Sequence, residues 1–161
     1  MIVYIVVLIL IVCFGGVLLV GAPYLPTLTP QVRAALELAD LKQGQTLLEL
    51  GCGDGKVLVA AARQGMKAVG YELNPLLAAV AWVRTRHYRG RVQVRCVDFW
   101  RADWPQADAI FVFLLPKYMV KLDTKISHYS HKPVRLVSFA FPIPEKKVSK
   151  QKSGIFAYNY R

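Results

Sequence analysis

Residues 46–75 constrain this chain more than any other stretch. Thr46–Leu50 reads as a short apolar strand that runs directly into Gly51-Cys52-Gly53-Asp54-Gly55. Lys56–Gln64 follows with helical spacing and is closed by Gly65, and Ala68–Glu72 reads as a second strand that ends on an acid. Strand, glycine turn, helix and strand within about 30 residues make a parallel β–α–β unit. The glycines let the backbone turn sharply and approach a ligand with no side chain in the way. The helix that starts near Gly55 directs free N–H groups at that ligand. Glu72, at the carboxyl end of its strand, is placed to accept hydrogen bonds from a pair of ribose hydroxyls.

Three adenosine-type ligands compete for such a unit, and the residues separate them. A P-loop needs four residues between its glycines and then Lys-Ser or Lys-Thr. Here Gly51 and Gly55 are one residue too close, and Lys56 is followed by Val57. A dinucleotide fingerprint is G-x-G-x-x-G, whereas this loop is G-x-G-x-G and is preceded by Glu49. A carboxylate at that strand end faces a pyrophosphate unfavourably but suits an ammonium group. S-adenosylmethionine, which carries an amino acid on its sulfonium, is the ligand that fits. A lone glycine loop also serves as a plain turn. The case rests on its combination with Glu72, Asn74-Pro75 and a later acid, Asp98.

The 161 residues make room for one domain. Their hydrophobic content, 55%, is concentrated at the amino terminus, because residues 1–32 contain no Asp, Glu, Lys, Arg or His. Ile2–Ala22 is apolar, roughly 31 Å long as a helix, and so matches a bilayer core. A signal peptide needs a basic leading region that is missing here, and Pro23 directly after Ala22 disfavours cleavage. A buried core helix is the third reading, but the domain behind it looks complete without it. The sequence therefore predicts one transmembrane helix at residues 1–22, a connector and pre-domain helix at 23–44, and a ligand-binding domain at 45–161. Arg33 and Lys42 flank the anchor on its carboxyl side only, so the positive-inside rule places the domain in the cytoplasm. The net charge of +11 favours an anionic surface, for which phospholipid head groups are the simplest candidate. The basic residues read as scattered rather than gathered with aromatics, which argues against a nucleic-acid partner. Cys13, Cys52 and Cys96 show no metal or disulfide spacing and read as reduced, small core residues. His87, His128 and His131 read as solvated, and no metal site is expected.

Along the chain, Thr29 is expected to cap a helix that has Pro30 at its first position, runs to about Leu41 and is stopped by Gly44. Pro75 opens a helix to about Tyr88, with Arg84, Arg86 and Arg89 at its negative end. Val92–Val97 alternates as a strand, and Ala109–Leu115 is a continuous apolar run suited to a strand buried on both faces. Residues 117–130 are predicted helical, with Met119, Val120, Leu122 and Ile126 facing the core. Val134–Phe141 and Ile155–Tyr160 are predicted strands joined by a basic loop, Glu145–Lys152. The expected fold is α/β: a Rossmann-like, mostly parallel sheet with an antiparallel terminal hairpin. In such a sheet Glu49–Gly55, Glu72, Asp98 and Leu114–Pro116 all fall beyond the carboxyl ends of strands, where ligands bind.

Four segments carry a resemblance: Tyr24-Leu25-Pro26-Thr27, Leu48 to Lys56, Ala68 to Pro75, and Arg135 to Pro142. Together they resemble class I methyltransferases and, within them, the membrane-anchored protein lysine methyltransferases. In mitochondria that family modifies lysines of the ATP synthase c-ring protein and of the adenine nucleotide translocase. The resemblance covers nearly the whole chain; the glycine loop is specific only to the class. It implies that Glu49, Gly51 and Gly53 hold the methionine part, Glu72 the ribose, and Asp98 with Phe99 the adenine. It also implies that Thr27 closes over the cofactor. With Cys52, Gly55 and Asn74, these form the candidate cofactor-binding set.

Methyl transfer from a sulfonium is an in-line displacement, so the protein mainly aligns the partners and excludes water. A lysine acceptor must also lose its proton, which a desolvated aromatic pocket favours. Candidate acceptor-pocket residues are Tyr24, Leu115, Pro116 and Phe141. Amino-group methylases of adenine and glutamine carry Asp/Asn-Pro-Pro-aromatic after the fourth strand. Here that stretch is Leu114-Leu115-Pro116-Lys117-Tyr118, which argues against DNA adenine methylation and leaves no evident general base. The favoured expectation is a membrane-anchored methyltransferase acting on a lysine of a membrane protein. A lipid or small-molecule acceptor, a non-catalytic cofactor-binding module and, more distantly, an NAD-dependent oxidoreductase are the alternatives.

Overall fold

A computed structural model of the chain describes residues 27–131 and 133–161, together with Met1, Val3 and Tyr4. The rest of the expected anchor, with Cys13, lies outside the described residues, and so does Tyr24. No helix among the described residues is long and apolar enough to cross a membrane. The elements run α1 (Thr29–Ala39), β1 (Thr46–Leu50), α2 (Lys56–Arg63), β2 (Lys67–Glu72), α3 (Pro75–Thr85), β3 (Val92–Cys96), β4 (Ala109–Val112), α4 (Met119–Ser127), β5 (Val134–Phe139), β6 (Lys150–Lys152) and β7 (Ile155–Tyr160). Short 3-10 turns at Arg86–Tyr88 and Pro116–Tyr118 follow α3 and precede α4.

The seven strands form one sheet in the order β3-β2-β1-β4-β5-β7-β6. The first five are parallel, while β7 runs antiparallel to both β5 and β6. This is the expected Rossmann-like sheet with antiparallel terminal strands. The order reverses at β1 and β4, so the crevice beyond their carboxyl ends is the switch point. Strand alternation divides the core. Leu47, Ala109, Phe111 and Val137 pack with α1, α2 and Ala81 of α3 on one face. Leu48, Leu50, Ile110, Val112 and Leu136 pack on the other, against Met119, Leu122 and Ile126 of α4 and against Trp104 and Tyr129.

Several local expectations change. Thr29 does not cap α1: Leu28 holds that position and no side chain caps the helix, although Pro30 does sit in its first turn. The helix ends at Ala39 with Asp40 as its cap, close to the expected end at about Leu41 and ahead of Gly44. Asp40 takes the left-handed conformation (φ 51°) and returns its N–H to the Leu36 carbonyl at 3.2 Å. Arg135 of β5 completes that end, donating to the Ala39 carbonyl at 2.9 Å and pairing with Asp40 at 3.1 Å. The helix expected over 117–130 is a 3-10 turn followed by α4, and Val120 is 61% exposed. Met119, Leu122 and Ile126 fix the buried face, and Val120, one residue on, is turned about 100° away from Met119. Strands expected to reach Leu115 and Phe141 end at Val112 and Phe139, the latter because Ala140 adopts φ 70°. Cys96 is exposed at the end of β3 rather than in the core. The basic loop contributes a seventh strand, Lys150–Lys152, whose charged residues make the free edge of the sheet unattractive for further pairing.

Gly70, in the middle of β2, is fixed by packing rather than by backbone conformation. A Cβ there would lie 2.5 Å from Leu58 Cδ1 and 2.8 Å from Cys52 Sγ. Leu58 is a core residue of α2, and Cys52 belongs to the glycine loop, so that close approach seats the loop on the sheet. Gly70→Ala is expected to destabilise the protein by about 1–3 kcal/mol, the range for overpacking a filled core. Urea unfolding followed by circular dichroism checks this, and a midpoint equal to the parent's would refute it.

Candidate functional site

The glycine loop leaves β1 with Gly51, Gly53 and Gly55 all at positive φ (81°, 52° and 78°). Three left-handed residues so close together are tolerable only without side chains. The loop closes on itself through Gly55 N–H to the Cys52 carbonyl at 2.8 Å. It is tied to β2 by the Gly51 and Cys52 N–H groups, which donate to the Tyr71 carbonyl at 2.8 and 2.9 Å. A Cβ at Gly51 would meet no atom within 4 Å, so the loop faces open space there.

Glu72 is 7% exposed and bridges two turns. Its Oε2 accepts from Gly53 N–H and its Oε1 from Asn74 N–H, both at 2.8 Å. Each oxygen keeps a second lone pair for a ligand hydroxyl. Asn74 caps α3: its Oδ1 accepts from Leu76 and Leu77 N–H at 2.9 and 3.3 Å, which aims the helix start at the same crevice.

Glu49 lies on the face of β1 that looks toward α2, 4% exposed, and its Oε2 accepts no hydrogen bond from the described residues. Burial pushes its carboxyl well above the usual range, and the charges of Asp54 and Glu72 add to the effect; the Leu58 backbone amide offsets part of it. Asp54 is ion-paired to Arg84 of α3. The Cys52 thiol is pushed up by burial and by the Glu49 and Glu72 charges, and its sulfur packs in the core, so this residue contributes its backbone to the loop.

Asp98 and Phe99 lie just beyond β3. Asp98 Oδ1 accepts from Trp100 N–H at 2.9 Å, and its Oδ2 lies 3.6 Å from Arg101 Nε. Phe99 is half-buried against Trp100, with ring centroids 4.8 Å apart. Thr27 is half-buried on the same side, and its carbonyl accepts from Lys56 Nζ at 3.1 Å. Of the acceptor-pocket candidates, Leu115 and Phe141 are half-buried and Pro116 is exposed. The Phe141 carbonyl accepts from Ser138 Oγ at 2.8 Å. Sequence reasoning missed Phe113 and Phe139, paired at 4.5 Å where β4 and β5 end. The signal was available: the two residues continue the strand alternation of Phe111 and Val137, and the register pairs Phe111 with both Glu49 and Val137.

The arrangement suits a cationic adenosine-type ligand. A buried carboxylate oxygen without a partner among the described residues, a glycine loop open at Gly51, a ribose-ready acid and an apolar strand-end mouth converge on one crevice. A pyrophosphate would meet Glu49 and Glu72 with like charge. Fold and site define a class I methyltransferase domain. Residues 49–150 match the family described as "ANTKMT methyltransferase domain", and the chain belongs to that family. It is 32% identical over 126 residues to the Homo sapiens lysine N-methyltransferase named for the c-ring protein of ATP synthase, covering 76% of this chain and 53% of that protein. It is 33% identical over 125 residues to a protein-lysine N-methyltransferase of Saccharolobus islandicus, covering 75% of this chain and 78% of that one. The chain spans about half the length of the vertebrate relatives it matches. In structure it resembles an RNA methyltransferase of Salinibacter ruber crystallised with S-adenosyl-L-homocysteine. The TM-score is 0.77 and the identity 29%, over 84% of this chain and 92% of that one.

The Glu49 environment sets a pH signature for the ligand-free protein. Its native carboxyl holds its proton above the ordinary value of 4.5, so over that window the native state binds more protons than the unfolded chain. Stability therefore falls as pH rises from about 4.5 toward the raised value. Glu49→Gln is expected to remove that slope and to raise stability at neutral pH, on the order of 1 kcal/mol. Thermal melts from pH 4 to pH 8 compare the two, and parallel curves would contradict the assignment.

Proposed function

We propose that this chain is an S-adenosylmethionine-dependent methyltransferase that methylates the side-chain amine of a lysine in a membrane protein. The observation that carries the proposal is the buried carboxylate oxygen of Glu49, without a partner among the described residues, behind the Gly51–Gly55 loop. The kinship with proteins named lysine N-methyltransferases supports the acceptor class.

When bound, S-adenosylmethionine supplies a methyl group made electrophilic by its sulfonium. Glu49, with the Gly51 and Gly53 backbone, holds the amino-acid end, where a cationic ammonium relieves the cost of a buried carboxylate. Glu72 accepts from the ribose hydroxyls while its two backbone bonds keep it from turning away. Asp98 and Phe99 border the adenine. Phe113, Phe139, Leu115 and Phe141 supply an apolar mouth that strips water from an incoming lysine and so favours its neutral, nucleophilic form. Tyr24, Pro116 and Thr27 complete the proposed set. No carboxylate or imidazole in this mouth is assigned as a general base. Desolvation and release of the proton to solvent are the proposed route.

The proposal extends to location. Ile2–Ala22 is read as a single-pass anchor, and the basic Arg33 and Lys42 on its carboxyl side support a cytoplasmic orientation of the domain. Anchoring keeps domain and acceptor on one surface, which raises their effective concentration.

Calorimetric titration of the full chain in detergent with S-adenosylmethionine, S-adenosylhomocysteine and NAD tests the cofactor; binding of NAD alone would sink the reading. Glu72→Ala is expected to weaken cofactor binding on the order of 2–4 kcal/mol, with circular dichroism as the check on folding. Transfer of a labelled methyl group to membrane fractions, followed by peptide mapping, tests the acceptor. Label on lysine supports the proposal. Label extracted with lipid, or no label from a cofactor-competent protein, would replace it with the lipid-acceptor or non-catalytic reading.

A further inference from the structure

Lys117 and Lys121, one helical turn apart in the sequence, are joined in space by Trp100 from a separate segment. Lys117 lies over the Tyr118 ring at 4.9 Å and Lys121 over the Trp100 ring at 4.4 Å; the Trp100 and Tyr118 rings are 6.0 Å apart. Lys117, Lys121 and the neighbouring Arg101 and Val120 are exposed. The patch sits beside Asp98 and Phe99 and directly follows Leu114–Pro116, so it forms one rim of the proposed active-site mouth. Thr27, where the described domain begins, is held by Lys56 at the start of α2, so it lies at the same carboxyl ends of the strands but beside the opposite face of the sheet. Lys125, by contrast, is half-buried and donates to the Trp100 carbonyl at 3.0 Å, so it supports the patch from beneath.

We propose that this rim, Trp100, Arg101, Lys117, Tyr118, Val120 and Lys121, docks the domain on the anionic head groups of a bilayer with the active-site mouth turned toward the membrane surface. Two exposed lysines, an exposed Arg101 that also pairs with Asp98 at 3.6 Å, half-buried aromatic rings and one exposed valine match a phosphate layer with an apolar boundary beneath it. RNA is the rival polyanion, but its single strands are bound by stacking bases on open ring faces. Here Trp100 is bordered by Lys121, Phe99 and Tyr118, and Tyr118 carries Lys117. Phosphate contact needs only the ammonium groups. The inference deepens the proposed function, on which it rests for the purpose of the contact, but vesicle binding and cofactor binding are read separately.

The test uses the full chain and flotation with vesicles of phosphatidylcholine alone or with phosphatidylglycerol added. The anchor's contribution is common to both compositions and cancels in the ratio of the two partition coefficients. The parent is expected to prefer anionic vesicles, and Lys117→Gln with Lys121→Gln is expected to lose about fivefold of that preference per residue. Cofactor affinity of the double variant should equal the parent's, which also shows that it is folded. A parent indifferent to anionic lipid, or a double variant with undiminished preference, would overturn the proposal. So would loss, in the double variant, of binding to a single-stranded RNA oligonucleotide with vesicle binding unchanged. Anionic preference in a parent that binds no S-adenosylmethionine would leave docking standing and remove the methyltransferase reading instead.

Discussion

The Glu72 carboxylate ties the site together. One oxygen holds the glycine loop through Gly53, and the other holds the turn that launches α3 through Asn74. Two crossovers of opposite origin, one leaving β1 and one leaving β2, are thereby fixed to a single buried side chain. Hydrogen bonds to an ionised acceptor are the stronger kind, about 1.5–3 kcal/mol each. The geometry leaves the second lone pair of each oxygen toward the crevice. A group that orders the empty site and also binds the ligand must be held before the ligand arrives, which limits the ordering cost of binding.

Beside it, the structure tolerates an unfavourable group. Glu49 is buried next to two other acids in a chain whose net charge is +11. Arg84 pairs with Asp54, one of those acids, at the loop surface. A buried carboxylate oxygen without a partner costs stability in the ligand-free protein and is rewarded only by a cationic ligand. Such a conflict between stability and local composition is characteristic of functional sites.

The same division of surfaces organises the outside of the molecule. The carboxyl ends of the strands carry the acids, the aromatic pair Phe113–Phe139 and the Lys117–Lys121 rim. The opposite ends carry conventional closures, such as Arg135 on the end of α1. At the antiparallel edge, Lys152 pairs with Glu37 at 2.6 Å and Lys146 with Asp123 at 2.7 Å, joining the basic loop to helices on both faces of the sheet. On the rim Lys117 and Lys121 lie over aromatic rings, while these other cations are engaged with carboxylates within the fold.

Much of this was legible in the chain itself. The β–α–β unit at 46–75 could be read because glycine, apolar run and terminal acid are local signals whose spacing leaves few backbone paths. The parallel sheet and its antiparallel finish followed from helices between strands and the lack of one before Ile155–Tyr160. The boundaries at Asp40, Val112 and Phe139 were not legible, because each depends on a left-handed residue, a nearby proline or a cap supplied from another element. Val120 was misplaced because apolar spacing fixes a helical face only to within a residue, and contacts with the sheet choose between neighbours. Phe113 with Phe139, and Lys121 with Trp100, are brought together from separate segments by sheet order and loop path. Residue order alone set the chemistry available at the strand ends: glycines, acids and an apolar run. Folding in three dimensions was needed to bury Glu49 beside other acids, to set Glu72 between two turns, and to put Trp100 beside Lys121 on one rim. Burial and proximity are properties of the folded surface, and no local spacing encodes them.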